Sequence, residues 1–379
     1  MRQRGFSDAW NIFNQEVPSC QQAGHTVLYP RLLSNNDRVK LIQKKLYFLF
    51  AVHPINLTGN FVMNATGYFT HRDCWKHEMG QGHPECPERL DAIEDRLLVS
   101  GVGNALDRRE APAAPLGDIE LAHDRMLVAA LRGMSDQLAD DINAGGPSHI
   151  QIDPDTSLNV HTWNAALRAA GAVLAATDAV IAGEMENAFC AVRPPGHHAT
   201  RDKAMGFCFF NNIAIAAKYA LARHGLKRVA IVDFDVHHGN GTEDIIRGDN
   251  RVLMVSFFQH PFYPFADLDN QGGNMVNLPV PAYSRGMDVR ELIEMMWLPR
   301  LEEFKPEMIF ISAGFDAHRD DDMGQMGLTE QDFAWITQRI KDVAVRHSRG
   351  RIVSSLEGGY DLGSLARSVE AHIRVLADL

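Results

Sequence analysis

The stretch Arg228-Val-Ala-Ile-Val-Asp-Phe-Asp-Val-His-His-Gly-Asn-Gly-Thr242 decides the fold. Its first half, Arg228–Phe234, is a Val/Ile-rich run of strand length, and such runs belong to sheets covered on both faces. Its second half is rich in Asp, His and Gly, as a loop leaving a strand is. In an extended chain Asp233, Asp235 and His237, at i, i+2 and i+4, point to one side. Three ionisable groups on one side of an apolar strand are very costly to bury unpaired, and a divalent cation removes that cost. Asp oxygen and His nitrogen are ordinary zinc ligands, and a catalytic zinc keeps three protein ligands and an open position.

Outward from this stretch the pattern recurs. Ala188–Val192, Val252–Phe257, Met308–Ser312 and Arg351–Leu356 are short runs rich in Val, Ile or Phe, each closed by a polar or glycine-rich loop. Between them, 163–182, 211–224, 288–304 and 330–347 read as helices, with Gly183 and Gly225 as C-terminal stops to the first two. Strand–helix–strand repetition predicts an α/β fold: a single domain with a mostly parallel central sheet flanked by helices on both faces. In such sheets functional groups collect beyond the C-terminal ends of the strands.

Four strand ends are chemically loaded. Besides the stretch above, Arg193-Pro-Pro-Gly-His-His198, Ala313-Gly-Phe-Asp316 and Glu357-Gly-Gly-Tyr360 each follow an apolar run. Asp316 can supply the third ligand beside Asp235 and His237. The rigid Pro-Pro-Gly turn fixes the direction of His197 and His198, which can ligate a metal or transfer protons. With three ligand positions already filled, proton transfer is the expectation. Tyr360, after two glycines, suits an O–H donor to a developing oxyanion.

Composition sets the outer bounds. A chain of 379 residues, 45% hydrophobic and 22% charged, is neither a disordered tail, a collagen nor a small disulfide scaffold. A formal net charge of −11 argues against general duplex binding, so no nucleic-acid partner is expected. Five cysteines without a C-x-x-C pair suit a reducing cytoplasm. The most apolar run near the start, Leu46–Val52, is too short to span a membrane and too far along for a secretory signal. Residues 1–62 show no sustained period and read as an N-terminal extension: a disordered segment, a tag or an over-long start. The folded domain is expected over 63–379, opening with a strand near Ala65–Phe69.

Taken in order, these four motifs, with His83-Pro-Glu85 and Pro87-Glu-Arg89 upstream, resemble the zinc-dependent histone deacetylase superfamily. The likeness runs from about Met63 to the C-terminus and is strongest to the bacterial class II-type histone deacetylase-like amidohydrolases. It implies one Zn²⁺ per chain on Asp235, His237 and Asp316. It implies His197 and His198 as catalytic histidines, oriented by Asp233 and Asn240, and Tyr360 as the group that polarises the substrate carbonyl. It implies a structural potassium ion behind the zinc, held by Asp233, Asp235, His237, Ser256 and Phe257, several through backbone carbonyls. A second potassium would fall near Ile246, Asp249 and Val252. Gly206, Phe207, Tyr263 and Met323 would line an acyl-lysine tunnel, at whose rim Phe265-Ala266 replaces the Gly-Thr pair of the usual pattern.

The implied reaction is hydrolysis of the amide of an N-acetylated or otherwise acylated lysine, in a peptide or protein, to acetate and a free amine. The same residues would serve an amidohydrolase of acetylated polyamines or other small amines. An arginase-like binuclear manganese enzyme would need an Asp-x-Asp-x-x-Asp run, which this chain lacks. A non-catalytic binding scaffold would have no need of intact ligands, both histidines and Tyr360. No membrane partner is expected, and the sequence leaves the oligomeric state open.

Overall fold

Runs too apolar to face water build the centre of the molecule. The computed structural model describes residues 65–268 and 272–379, so the extension expected at 1–62 lies outside the described residues. The strands are β1 (Thr66–Thr70), β2 (Leu106–Glu110), β3 (His149–Asp153), β4 (Thr156–Asn159), β5 (Asn187–Cys190), β6 (Val229–Asp233), β7 (Val252–Gln259), β8 (Met275–Val280), β9 (Met308–Ala313) and β10 (Ile352–Leu356). Eight form one sheet in the order β2-β1-β5-β10-β9-β6-β7-β8, and β3 and β4 make a separate hairpin. Every neighbouring pair in the large sheet is parallel.

The five strands expected from Val, Ile and Phe content are β5, β6, β7, β9 and β10, and each is buried along its whole length. β5, β10, β9 and β6 are consecutive in the sheet. The four loaded loops therefore leave from four adjacent strand ends, which makes one crevice out of residues far apart in sequence. The edge strands were not anticipated. β2 reads Leu-Asp-Arg-Arg-Glu and β8 reads Met-Val-Asn-Leu-Pro-Val. Charge on β2 and a proline in β8 are what an edge uses to block further pairing, and they dilute the apolar signal.

Helices cover both faces. The helix Thr162–Ala182 begins one residue before its expected start. Its length and apolar composition would suffice to cross a membrane, but 67% of its apolar window is buried within the fold, where an all-round apolar surface is required. The segment expected as one helix over 288–304 is α-helical over Gly286–Leu292 and Leu298–Phe304, with a π turn at Ile293–Trp297. Pro299 has no N–H to offer the preceding turn, and the wider π turn absorbs the defect. It also sends Trp297 into the core, where its ring stacks on Phe257 at 5.7 Å and its Nε1–H donates to the Ser256 carbonyl at 3.2 Å.

One close approach fixes the loop after β2. A Cβ on Gly171 would sit 1.8 Å from the Pro112 carbonyl oxygen, and Ala114 N–H donates to the Leu167 carbonyl at 2.9 Å. Replacing a mid-helix glycine by alanine ordinarily stabilises by about 1 kcal/mol. Here Gly171→Ala should instead destabilise, by about 1–3 kcal/mol, because the helix and loop must part. A denaturant melt of the variant checks the sign.

Candidate active site

The metal-type donors come from two neighbouring strands. Asp235 and His237 lie just past the end of β6, and Asp316 just past the end of β9. One donor atom from each lies within 4.8 Å of the others, and all three residues are buried. His237 Nδ1 is 3.1 Å from Asp235 Oδ1 and 3.2 Å from Asp316 Oδ2. The second oxygen of each carboxylate is held by a backbone N–H: Gly358 to Asp235 Oδ2 and Val236 to Asp316 Oδ1, both at 2.9 Å.

Glycine makes this packing possible. A Cβ on Gly314 would lie 2.0 Å from Asp235 Oδ2, and one on Gly358 would lie 2.1 Å from Asp316 Oδ2. Burial and the Asp235 charge push the Asp316 carboxyl up to about 7. Burial opposes charge on His237, yet its contacts with Asp235 and Asp316 push the imidazole up to about 10. Two carboxylates and one imidazole nitrogen, converging where water is excluded, fit a divalent cation. Among the described residues this is the single group of three such donors.

The two histidines stand beside it with different partners. His197 Nδ1 is 3.0 Å from Asp233 Oδ2, and His198 Nδ1 is 2.8 Å from Asn240 Oδ1. The rings are 4.0 Å apart. Because an amide oxygen only accepts, Nδ1 of His198 carries the proton, and its Nε2 is left with a lone pair in the neutral ring. Burial, together with His197 and His237, holds His198 well below the usual histidine range. Burial works the same way on His197, but Asp235 and Asp233 outweigh it and raise His197 well above that range.

A cavity of about 240 Å³ connects this floor to the surface. His198, His237 and Tyr360 lie along it, with Gly206, Phe207, Tyr263 and Met323 in its walls. Phe207 is presented by a tight Met205–Cys208 turn in which Gly206 has φ 57° and Phe207 φ 67°. That turn demands positive φ at both central residues, and a phenylalanine there is a cost retained where the ring is needed. Phe265, two residues beyond Tyr263, also has positive φ, 62°, and is exposed.

Residues quoted in the motifs without a role turn out to hold the site in place. Arg89 and Arg193 are fully buried and share the Glu85 carboxylate. Arg89 Nε donates to the Gly359 carbonyl at 2.6 Å, and its guanidinium lies 4.9 Å from the Tyr360 ring centroid. Glu357 Oε2 accepts from the backbone N–H groups of Gly196 at 2.6 Å and His197 at 3.1 Å. Asp321, which sequence reasoning missed, accepts from Tyr360 N–H at 2.5 Å. Missed too were Asp155 and Asp322 at the cavity mouth. An exposed aspartate in a loop carries no sequence mark of where it faces.

The monovalent-cation residues divide. Asp233 and Ser256 are register partners in β6 and β7, and Phe257 follows, so that set is brought together. The second set is not open to an ion. The carbonyls of Ile246, Asp249 and Val252 all receive the side-chain amide of Asn274, whose Nδ2 lies 3.0, 3.3 and 2.9 Å from them. An amide with two N–H donors takes the position that a cation would need.

Comparison with known proteins agrees with this geometry. The histone deacetylase domain family matches residues 83–376. A histone deacetylase-like amidohydrolase of Pseudomonas aeruginosa is 39% identical over 286 residues, covering 74% of this chain and 73% of that protein. The chloroplastic histone deacetylase 14 of Arabidopsis thaliana is 36% identical over 313 residues, covering 78% of this chain and 73% of its own. The crystallised HDA15 HD domain superposes with a TM-score of 0.77 at 34% identity, covering 83% of this chain and 88% of that one.

The buried Glu85 should show itself in stability. Burial opposes its ionisation, but Arg193, His77 and Arg89 prevail and hold its carboxyl far below the usual range. A carboxylate lowered in the folded state stabilises at pH above its unfolded value of about 4.3, and that contribution fades as pH falls below it. Glu85→Gln should therefore cost about 3–5 kcal/mol at neutral pH, since two buried guanidinium groups lose their counter-charge. The gap to the wild type should narrow progressively below about pH 4, as read by denaturant melts across pH.

Proposed function

The chain belongs to the histone deacetylase family and is a deacetylase-type amidohydrolase, and on that premise we propose that it is a zinc enzyme hydrolysing the amide of an acetylated lysine side chain. The observation that carries this is the aromatic-walled cavity that reaches His237, one of the Asp235, His237 and Asp316 donors, and whose walls suit an unbranched alkyl stem. Small acetylated amines with the same stem would meet the same residues.

Asp235, His237 and Asp316 would hold the zinc, which when bound polarises an amide carbonyl and lowers the pKa of water. The rest of the chemistry falls to side chains. His198 Nε2 faces the cavity with a lone pair and takes a proton from the attacking water, while Asn240 keeps the proton on Nδ1 in place. His197 stands beside His198 with its Nδ1 held by Asp233. As the carbonyl oxygen gains charge, Tyr360 O–H donates to it. The protonated His198 then gives its proton to the amine nitrogen as the C–N bond breaks, so the amine leaves neutral and the acyl group leaves as a carboxylic acid, whose remaining proton passes to the amine or to water and gives the carboxylate.

A potassium ion at the Asp233, Asp235, His237, Ser256 and Phe257 group is part of this reading, supported by the adjacency of β6 and β7. A cytoplasmic location is another part, supported by four free cysteines among the described residues.

Two variants separate metal binding from catalysis. Asp316→Ala should lose both bound zinc and turnover, by metal analysis and an acetyl-lysine reporter; a variant with stoichiometric zinc and normal turnover would remove Asp316 from the ligand set. Tyr360→Phe should keep its zinc and lose about 10²–10³ in kcat. A change confined to KM would contradict a transition-state role.

A further inference from the structure

The large sheet ends at β8, and the surface beside that edge exposes apolar side chains. Two grooves meet there, of about 500 Å³ and 630 Å³, and Tyr283 lines both. Its side chain is 76% exposed, yet its backbone is held. Tyr283 has φ 68°, and its N–H donates to the Gln325 carbonyl at 2.6 Å. Beside it, Gly327 N–H donates to the Ser284 carbonyl at 2.8 Å. On the helical segment that follows, Met287, Met295 and Met296 are exposed as well, and Met295 lines the larger groove. A fixed aromatic ridge accompanied by methionines and arginines has the composition of a protein contact surface.

Charge is divided across the ridge. The smaller groove is lined by Arg285 and Arg319 and by no acid. The larger is lined by Asp288 and Glu291 and by no base. All four side chains belong to exposed residues. Arg319 has Asp320 Oδ1 at 3.6 Å, while Arg285 and Glu291 enter no ion pair among the described residues. Pro279 in β8 withholds an N–H from any strand added to this edge, which leaves contact to the side chains.

We propose that this face docks a second copy of the chain in a two-fold pair. The occupant follows from the charge pattern. A cationic groove on one side of an apolar ridge and an anionic groove on the other make a surface complementary to itself. After a two-fold rotation at the ridge, the Arg285 and Arg319 groove of one copy faces the Asp288 and Glu291 groove of the other, and the contact is made twice. Tyr283 and the methionines of the two copies then cover each other and leave water. A partner of one charge would match one groove and be repelled by the other, so a second copy fits better than an acidic or a basic segment.

Sedimentation velocity of the full chain over a concentration series tests this, and the wild type should show a monomer–dimer equilibrium. Arg285→Glu sets acid against acid in both halves of the pair, and Glu291→Arg sets base against base. Each variant alone should self-associate about tenfold more weakly than the wild type, or worse. Mixed one to one, the two should pair about as well as the wild type, because every contact again joins opposite charges. The double variant Arg285→Glu/Glu291→Arg should recover in the same way. Both positions are exposed, so thermal melts of the variants should match the wild type. A wild type that stays monomeric overturns the proposal, as does a dimer that either single reversal leaves unchanged. Failure of both the mixture and the double variant to recover overturns it too. Species that keep growing beyond the dimer would show a head-to-tail contact and overturn the two-fold pair.

Discussion

Burying several acids together is the constraint on which the rest of this structure depends. Asp233, Asp235 and Asp316 occupy the ends of two adjacent strands with His197, His198 and His237, and every one of them is buried. Like charges a few ångströms apart in a water-poor interior repel strongly, so the arrangement needs compensating charge and donors on all sides. Backbone N–H groups provide part of it, from Val236, His237 and Gly358. Strand order provides the rest. Only because β6 lies beside β9 can Asp235 and Asp316 share His237, and only because Gly314 and Gly358 lack a Cβ can the backbone close over them.

A second layer of buried charge carries this local demand through the whole domain. Glu85 joins Arg89 and Arg193, and through them the start of the described chain touches the Gly359 and Glu357 carbonyls near its end. The Glu357 side chain in turn fixes the turn bearing His197. The active-site loops are thus linked by charge-assisted hydrogen bonds rather than by apolar packing alone. Such bonds hold direction as well as distance, which is what a proton-transferring histidine and an oxyanion donor require.

Legibility in the sequence followed burial. β5, β6, β7, β9 and β10 could be read because a strand covered on both faces has no polar alternation to dilute it, and their loaded ends named the site. β2 and β8 could not, since edge strands mix charge or proline into short runs. The π turn before Pro299 left only a continuous helical period to see. Positioning residues were half legible: Glu85, Arg89 and Glu357 stood in recognisable motifs, but nothing local says that an arginine will be fully buried or which carbonyl it will meet. Asn274 is the clearest limit. A side-chain amide in the nest formed by the Ile246, Asp249 and Val252 carbonyls is a three-dimensional coincidence, and no spacing announces it.

Floor and mouth of the cavity obey different physics. The floor is made of strand ends and buried donors, where a displacement of an ångström changes the energy of several charges at once, so its residues have little freedom to vary. The mouth is made of loops: the β3–β4 turn, the Met205–Cys208 turn, the segment carrying Tyr263 and Phe265, and the loop after β9. There Asp155 and Asp322 are exposed and screened, and each contributes modestly to any contact. Changes at such a mouth need not disturb the floor. Asp235, His237, Asp316, His197 and His198 belong to the buried floor, whereas Phe265 is exposed.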